Sequence, residues 1–241
     1  MRKLLTLLSI AGLAFAGTAA AASGPSINIS LSPNKAKQNS KLTVNASGFP
    51  TESAPPQSAE LQVQPGFKSS AKSVKQLCSP GASSCPAASQ IGTGTAQITV
   101  GFLPGPDTTL ALTDTLNFRL YLGKPRQGGD IASVIVLGSD TYLKQTANGS
   151  GRLFKNSSGG LELLFDQFPT ISGLTGGVTI TLDSLSFNVG ASRTVKRHHK
   201  KVTYSLITNP STCNGSWTGS GRVTFTNGTT VPESFSTPCK K

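Results

Sequence analysis

CSPGASSCPAASQIGTGTAQITVGF, residues 78–102, sets two of the chain's four cysteines seven positions apart and then runs into an alternating stretch with glycines at Gly92 and Gly94. As a metal clasp, a redox pair or a phosphate loop it would make the protein an enzyme candidate; as a staple it makes the protein a scaffold. A zinc site gathers about four thiolate or imidazole ligands, usually from closely paired positions. Here only Cys78 and Cys85 are close, Cys213 and Cys239 lie far downstream, and the chain's two histidines, His198 and His199, stand among lysines that repel a divalent cation. A thioredoxin-type pair needs two intervening residues at a helix start, which this spacing does not give. A dinucleotide loop needs a third glycine with a helix behind it, whereas TAQITV after Gly94 reads as a strand. The residues therefore imply no metal and no cofactor, and the glycines read as a bulge or a close strand crossing.

The same alternation recurs along the chain. Short runs of Leu, Val, Ile and Thr, such as KLTVNAS (41–47), TLNFRLYLG (115–123), GLELLFDQ (160–167) and GVTITLDSLSFNVG (177–190), are separated by Gly, Asn, Ser and Pro, and no window holds a helical period for three turns. This is an all-β chain, and strand spacings near ten residues predict an antiparallel β-sandwich, with immunoglobulin-like N-terminal strands leading into a larger one. ANGSG (147–151), SSGG (157–160) and TNGTT (226–230) read as hairpin ends and residues 49–58 as a connection. Asp166 in FDQFP reads as organising a turn before Pro169, and residues 70–77 as the one helical turn. The mature region, 23–241, is either one composite sandwich or two packed ones with a boundary near 124–130.

Arg2 and Lys3, an apolar run from Leu4 to Ala16 and small residues at Ala20 to Ala22 form a secretory signal over residues 1–22, with cleavage between Ala22 and Ser23. The run is too short to span a bilayer, which takes about 20 apolar residues. The expected location is secreted, either extracellular or associated with the cell envelope. In an oxidising space four cysteines allow three pairings, and the local ones, Cys78 with Cys85 and Cys213 with Cys239, respect the two cysteine-bearing regions. The longer loop contributes about 3 kcal/mol by restricting the unfolded chain.

LQVQPGFK (61–68), CPAASQIGTGTA (85–96), FRLYLGKP (118–125), LLFDQFP (163–169) and ITNPSTCNGSW (207–217) occur in that order. In this the chain resembles a group of secreted, β-rich actinobacterial proteins marked by CPxxSxIGT and NPxxC motifs. The resemblance spans residues 61–239 and implies a modular extracellular role. It brings no catalytic residues.

Serine catalysis needs a base oriented by a carboxylate, and the only histidines sit in the basic stretch 192–201. No Gly-x-Ser-x-Gly elbow sits between a strand and a helix. A carboxylate pair for glycoside cleavage has Asp166 with Asp183 or Glu162 as its candidates. Trp217, the only tryptophan, lies four residues from Cys213 and reads as packed on that bridge rather than as a sugar platform.

The formal charge is +12, and +10 once Arg2 and Lys3 are removed. It is most concentrated at Arg193, Lys196, Arg197, Lys200 and Lys201, which with His198 and His199 form the candidate contact for a polyanion. The alternative is a solvated hairpin end that guards a strand edge. The expected partner is an anionic cell-wall polymer or membrane surface, and export removes nucleic acid as a physiological one. The chain thus reads as a non-catalytic extracellular or envelope-associated structural or binding protein. The alternatives are a hydrolase of wall or extracellular glycans and a cationic polyanion binder.

Overall fold

The computed structural model describes residues 26–49, 56–102, 110–140, 146–171 and 178–241; the predicted leader lies outside them. The chain is all-β. Thirteen strands follow one another: β1 (Ser26–Ser32), β2 (Lys41–Ser47), β3 (Pro56–Pro65), β4 (Gln90–Phe102), β5 (Leu110–Gly123), β6 (Asp130–Asp140), β7 (Thr146–Lys155), β8 (Gly160–Ile171), β9 (Val178–Val189), β10 (Ser192–Arg197), β11 (Lys200–Ser205), β12 (Ser216–Phe225) and β13 (Thr230–Pro238). Eleven make one antiparallel sheet in the order β1-β2-β9-β4-β5-β6-β7-β8-β3-β12-β13, and β10 with β11 forms a separate hairpin.

Alternation explains why this sheet curls. Successive side chains of a strand point to opposite faces, and in β2 Leu42, Val44 and Ala46 are buried while Lys41, Asn45 and Ser47 are exposed. With an apolar inner face on nearly every strand, the sheet rolls until its opposite walls pack on each other, giving a sandwich-like barrel with a continuous interior. Leu120, Leu122, Val134 and Val136 fill one wall, and Ile29, Leu42, Leu161 and Trp217 another. The two edges of the sheet, β1 and β13, then lie side by side. Eleven alternating strands leave this closing pair parallel, and no strand ladder joins it among the described residues. Thr237 Oγ1 donates to the Ile29 carbonyl at 2.7 Å across the seam. At its foot Lys35 and Lys240 form a parallel bridge, with Lys240 N donating to Asn34 O at 2.8 Å and Ala36 N to Lys240 O at 2.9 Å.

Glycines let the aromatic side chains lie inside. A Cβ on Gly94 would sit 2.4 Å from the Phe118 ring and 2.6 Å from the Phe187 Cβ, so Gly94 makes room for the Phe118 ring and for the side chain of Phe187 on the other flanking strand. Cross-strand aromatic cover of a strand glycine is a general way to stabilise a curved sheet. Gly92 sits at the bulge that shifts the β4–β5 register.

Three sequence expectations need correction. ANGSG (147–151) is not a hairpin end: it lies in β7, where Gly151 is half of a pair with Phe165, and a Cβ there would stand 3.0 Å from that ring. Asp166 does not organise a turn, since β8 runs on through Pro169 to Ile171 and irregular register with β7 absorbs the proline. The connection expected over 49–58 ends earlier, because β3 begins at Pro56 on the side of β12 where the register shifts. Residues 124–130 join two adjacent strands, β5 and β6, of the same sheet.

Both disulfides are local. Cys78 joins Cys85, and Cys213 joins Cys239. Cys78 takes the place beside β5 that β4 leaves, its N–H donating to Leu122 O at 2.9 Å, and the stapled loop covers Tyr121 and Ile135 on the outer face. The two bridges mark a chain matured in an oxidising environment. No helix among the described residues is long and apolar enough to cross a membrane.

Candidate functional site

The basic stretch 192–201 is more ordered than a loop between strands. Its residues make β10, a two-residue tip at His198 and His199, and the start of β11. Both tip residues have positive φ, 45° and 65°, as a tight hairpin turn requires. The register sets Lys196 opposite Lys201 and Arg197 opposite Lys200. Like charges directly across a strand pair repel, and the hairpin has no carboxylate to offset them. Val195 pairs with Val202, and the Thr194 and Thr203 hydroxyls meet at 2.8 Å.

The hairpin is held at its base. Arg193 Nη1 donates to Val74 O at 3.3 Å, Ser70 N donates to Ser205 O at 3.1 Å, and Lys72 Nζ lies 5.5 Å over the Tyr204 ring. The segment that follows crosses the barrel end as a strap. Ser40 N donates to Ile207 O, Asn209 N to Gln38 O, and Lys68 and Thr208 exchange both backbone bonds at 3.0 and 2.9 Å.

This end collects far more charge than the hairpin alone. Because strands alternate in direction, the connections 33–40, 66–89, 124–129, 156–159 and 190–215 and the segment 239–241 all emerge there. They carry Lys35 and Lys37, Lys68, Lys72 and Lys75, Lys124 and Arg126, the hairpin cations, and Lys240 and Lys241, with no Asp or Glu among them. Asp130, a carboxylate that borders this end at the start of β6, is neutralised in place. Arg152 donates to its Oδ1 from Nε at 3.0 Å and Nη2 at 2.8 Å, while the Arg126 and Gln127 amides donate to Oδ2. Burial pushes this carboxyl up, but those hydrogen bonds and the Arg152 charge outweigh it and hold it below the usual range. Sequence reasoning located the hairpin but missed the other lysines, which are scattered in sequence. Their signal was the absence of acids from every second connection, legible only once the strands are counted.

The carboxylates proposed for glycan cleavage are not brought together. Asp166 on β8 pairs with Arg126, and Asp183 on β9, five strands away in the sheet, accepts from Thr99 Oγ1 at 2.7 Å. Glu162 and Asp166 lie four residues apart on β8 and are engaged by different partners, Glu162 by Gln62 and Asp166 by Arg126. A carboxylate neighbour the sequence did not reveal is Glu60. It pairs with Arg222, and Gln62 Nε2 donates both to it and to Glu162. Burial raises the Glu162 carboxyl above its usual value and the Glu60 charge raises it further. Trp217 is fully buried, donates from Nε1 to Thr212 O at 3.0 Å, meets the Phe67 ring edge-on at 5.6 Å between centroids, and packs with Cys213 and Cys239.

Compared with known proteins, the chain matches no family model, no curated protein and no solved structure. The functional reading rests on geometry and charge.

Proposed function

We propose that this is an exported, non-catalytic binding module of the cell envelope or extracellular space, which attaches by its cationic end to an anionic polymer such as a phosphate- or uronate-bearing wall component. The observation that carries this reading is the hairpin register, which sets Lys196 against Lys201 and Arg197 against Lys200 at the exposed tip. Four cations held in mutual repulsion are relieved by a polyanion that lies along them. A polymer fits better than a bilayer, because the hairpin's two valines are half-buried against each other and offer no exposed apolar side chain for insertion.

Sedimentation with isolated wall polymer, and fluorescence anisotropy with labelled polyphosphate, test the proposal. Binding is expected at low salt and is expected to fall steeply towards 1 M, as the Debye length shrinks from about 10 Å at 0.1 M to about 3 Å. Replacing the exposed Lys196, Arg197, Lys200 and Lys201 by Ser, with Arg193 kept as the base anchor, should remove most binding while leaving the melting temperature in place, since the tip of a protruding hairpin carries little of the core. Absence of binding at low salt, or full binding by that variant, would refute the reading. Preference for anionic vesicles over polymer would replace the polymer with a membrane surface.

A further inference from the structure

Register and alternation divide the hairpin into two unlike faces. Residues opposite each other across a strand pair share a face, and the faces alternate along each strand. Arg193 with Tyr204, Val195 with Val202 and Arg197 with Lys200 therefore lie on one side, and Thr194 with Thr203 and Lys196 with Lys201 on the other. The first side is turned to residues 70–75: Arg193 Nη1 donates to Val74 O at 3.3 Å, and Lys72 Nζ lies 5.5 Å over the Tyr204 ring. Burial follows the same division, since Arg193, Val195, Val202 and Tyr204 are half-buried while Thr194, Lys196, Lys201 and Thr203 are all exposed.

The exposed face is a set of donors. Lys196 and Lys201 each bring an ammonium with three protons and no acceptor. The Thr194 and Thr203 hydroxyls meet at 2.8 Å, so one proton lies between the two oxygens and the other points away from the pair. The two rungs are about 7 Å apart at the usual strand rise. A lysine's flexible four-carbon stem covers that distance, and both ammoniums can fold back over the hydroxyls to close on one anion. Such a set discriminates among anions. A planar carboxylate is matched best by the fork of a guanidinium, and the hairpin's guanidiniums, Arg193 and Arg197, lie on the other face. Point-charge ammoniums and hydroxyls suit a phosphate, whose tetrahedral oxygens accept from several directions at once.

We infer that the polymer held by this end is a phosphodiester chain, with one of its phosphates seated on the Thr194–Thr203 rung between the Lys196 and Lys201 ammoniums. The inference rests on the attachment proposed above and narrows it to one face of the hairpin and one anion chemistry. Arg197 and Lys200 contribute charge at the tip rather than a seat, because their rung lies on the side turned to residues 70–75.

Two labelled probes of matched length with one negative charge per unit, poly(glycerol phosphate) and polygalacturonate, test this by fluorescence anisotropy with the disulfide-intact protein at low salt, where attraction is least screened. The phosphate polymer is expected to bind several-fold tighter. K196S/K201S and R197S/K200S each remove two charges, so a contact made by charge alone would weaken equally in both; the seat requires a several-fold larger loss in K196S/K201S. T194V/T203V keeps every charge and the β-branched shape, and should weaken the phosphate polymer several-fold while moving polygalacturonate less than twofold. T194S/T203S, which retains the hydroxyls, should bind the phosphate polymer within twofold of the parent. Melting curves check that each variant is folded. Equal losses in the two charge variants overturn the choice of face. Affinity for the phosphate polymer no higher than for polygalacturonate, or undiminished phosphate binding by T194V/T203V, overturns the phosphate seat. Each of those results leaves polyanion attachment standing, whereas failure of the parent to bind either polymer refutes the attachment and the seat with it.

Discussion

An apolar space of about 80 Å³ lies inside the barrel, walled by side chains from all eleven strands of the large sheet; filling this axial space should make the protein more stable, and the size of the gain follows from its volume. An unfilled apolar void costs about 24 cal/mol per Å³ relative to a packed interior, so the void of about 80 Å³ carries a deficit of roughly 2 kcal/mol. Val63→Ile, Val134→Ile and Val189→Ile each add one methylene at the wall while keeping the β-branched shape a strand prefers. At about 0.8 kcal/mol per buried CH₂ the three together give a similar figure. For a domain of this size each kcal/mol moves the melting temperature by roughly 2–4 °C, so the triple variant should melt about 4–8 °C above the parent. Differential scanning calorimetry without reductant measures this, and urea unfolding checks that the midpoint rises with an unchanged slope. Had the wall no spare room, the same substitutions would overpack it at a cost of about 1–3 kcal/mol. A lower melting temperature in the triple variant would therefore refute the unfilled barrel.

Asp130 and Glu162 should tilt the pH dependence in opposite directions. The Asp130 carboxyl is lowered in the fold, so its contribution is present above the usual carboxylate pKa and disappears as pH falls through the depressed value. Asp130→Asn should cost about 2–4 kcal/mol at neutral pH by stranding Arg152, with much less difference near pH 2 by urea titration. Glu162 is raised, so its ionisation costs stability as pH climbs from the unfolded value through the raised one; Glu162→Gln should stabilise at pH 7 and change little at pH 3. At the hairpin tip, replacing His198–His199 by Asn–Gly puts at the two positive-φ positions the residues that adopt them most readily, and amides of Val195 and Val202 should exchange several-fold more slowly. Trp217→Phe leaves the Thr212 carbonyl without its 3.0 Å donor and should cost about 1–3 kcal/mol in urea unfolding.

The strand pattern was legible wherever one face meets water. β2 alternates cleanly because its outer residues, such as Thr43 and Asn45, are polar, and β9 does so on either side of Asp183, where an extra residue sets Leu182 and Leu185 three apart on the core face. It failed at residues 147–151 and 166–169, where Gly and Pro sit inside strands: the glycine is there to receive Phe165, and the proline is accommodated by a shifted register, neither of which is a local property. The staple at Cys78 and Cys85 and the buried Trp217 followed from compartment and spacing. The cationic end did not, because Lys35, Lys68 and Lys240 are neighbours only through a strand order that joins β3 to β12 and brings β1 back to β13. Nor was the axial space visible, since a void is a mismatch among eleven walls and no single stretch records it.

The odd strand count also decides how this molecule carries load. With eleven alternating strands, the chain enters β1 at one end of the barrel and leaves β13 at the other. Tension applied to the two ends therefore drags β1 lengthwise against β2, so that its rungs resist together; an even count would bring both ends to the same rim and let the outer strand peel away rung by rung. On the far side, the Cys213–Cys239 bridge encloses β12 and β13. A pull at Lys241 passes through the sulfurs into residue 213 and the strap across the cationic end, and the last two strands are left outside the line of force. Tension on this molecule is thus borne by the rungs between β1 and β2, and the hairpin of β12 and β13 stays unloaded.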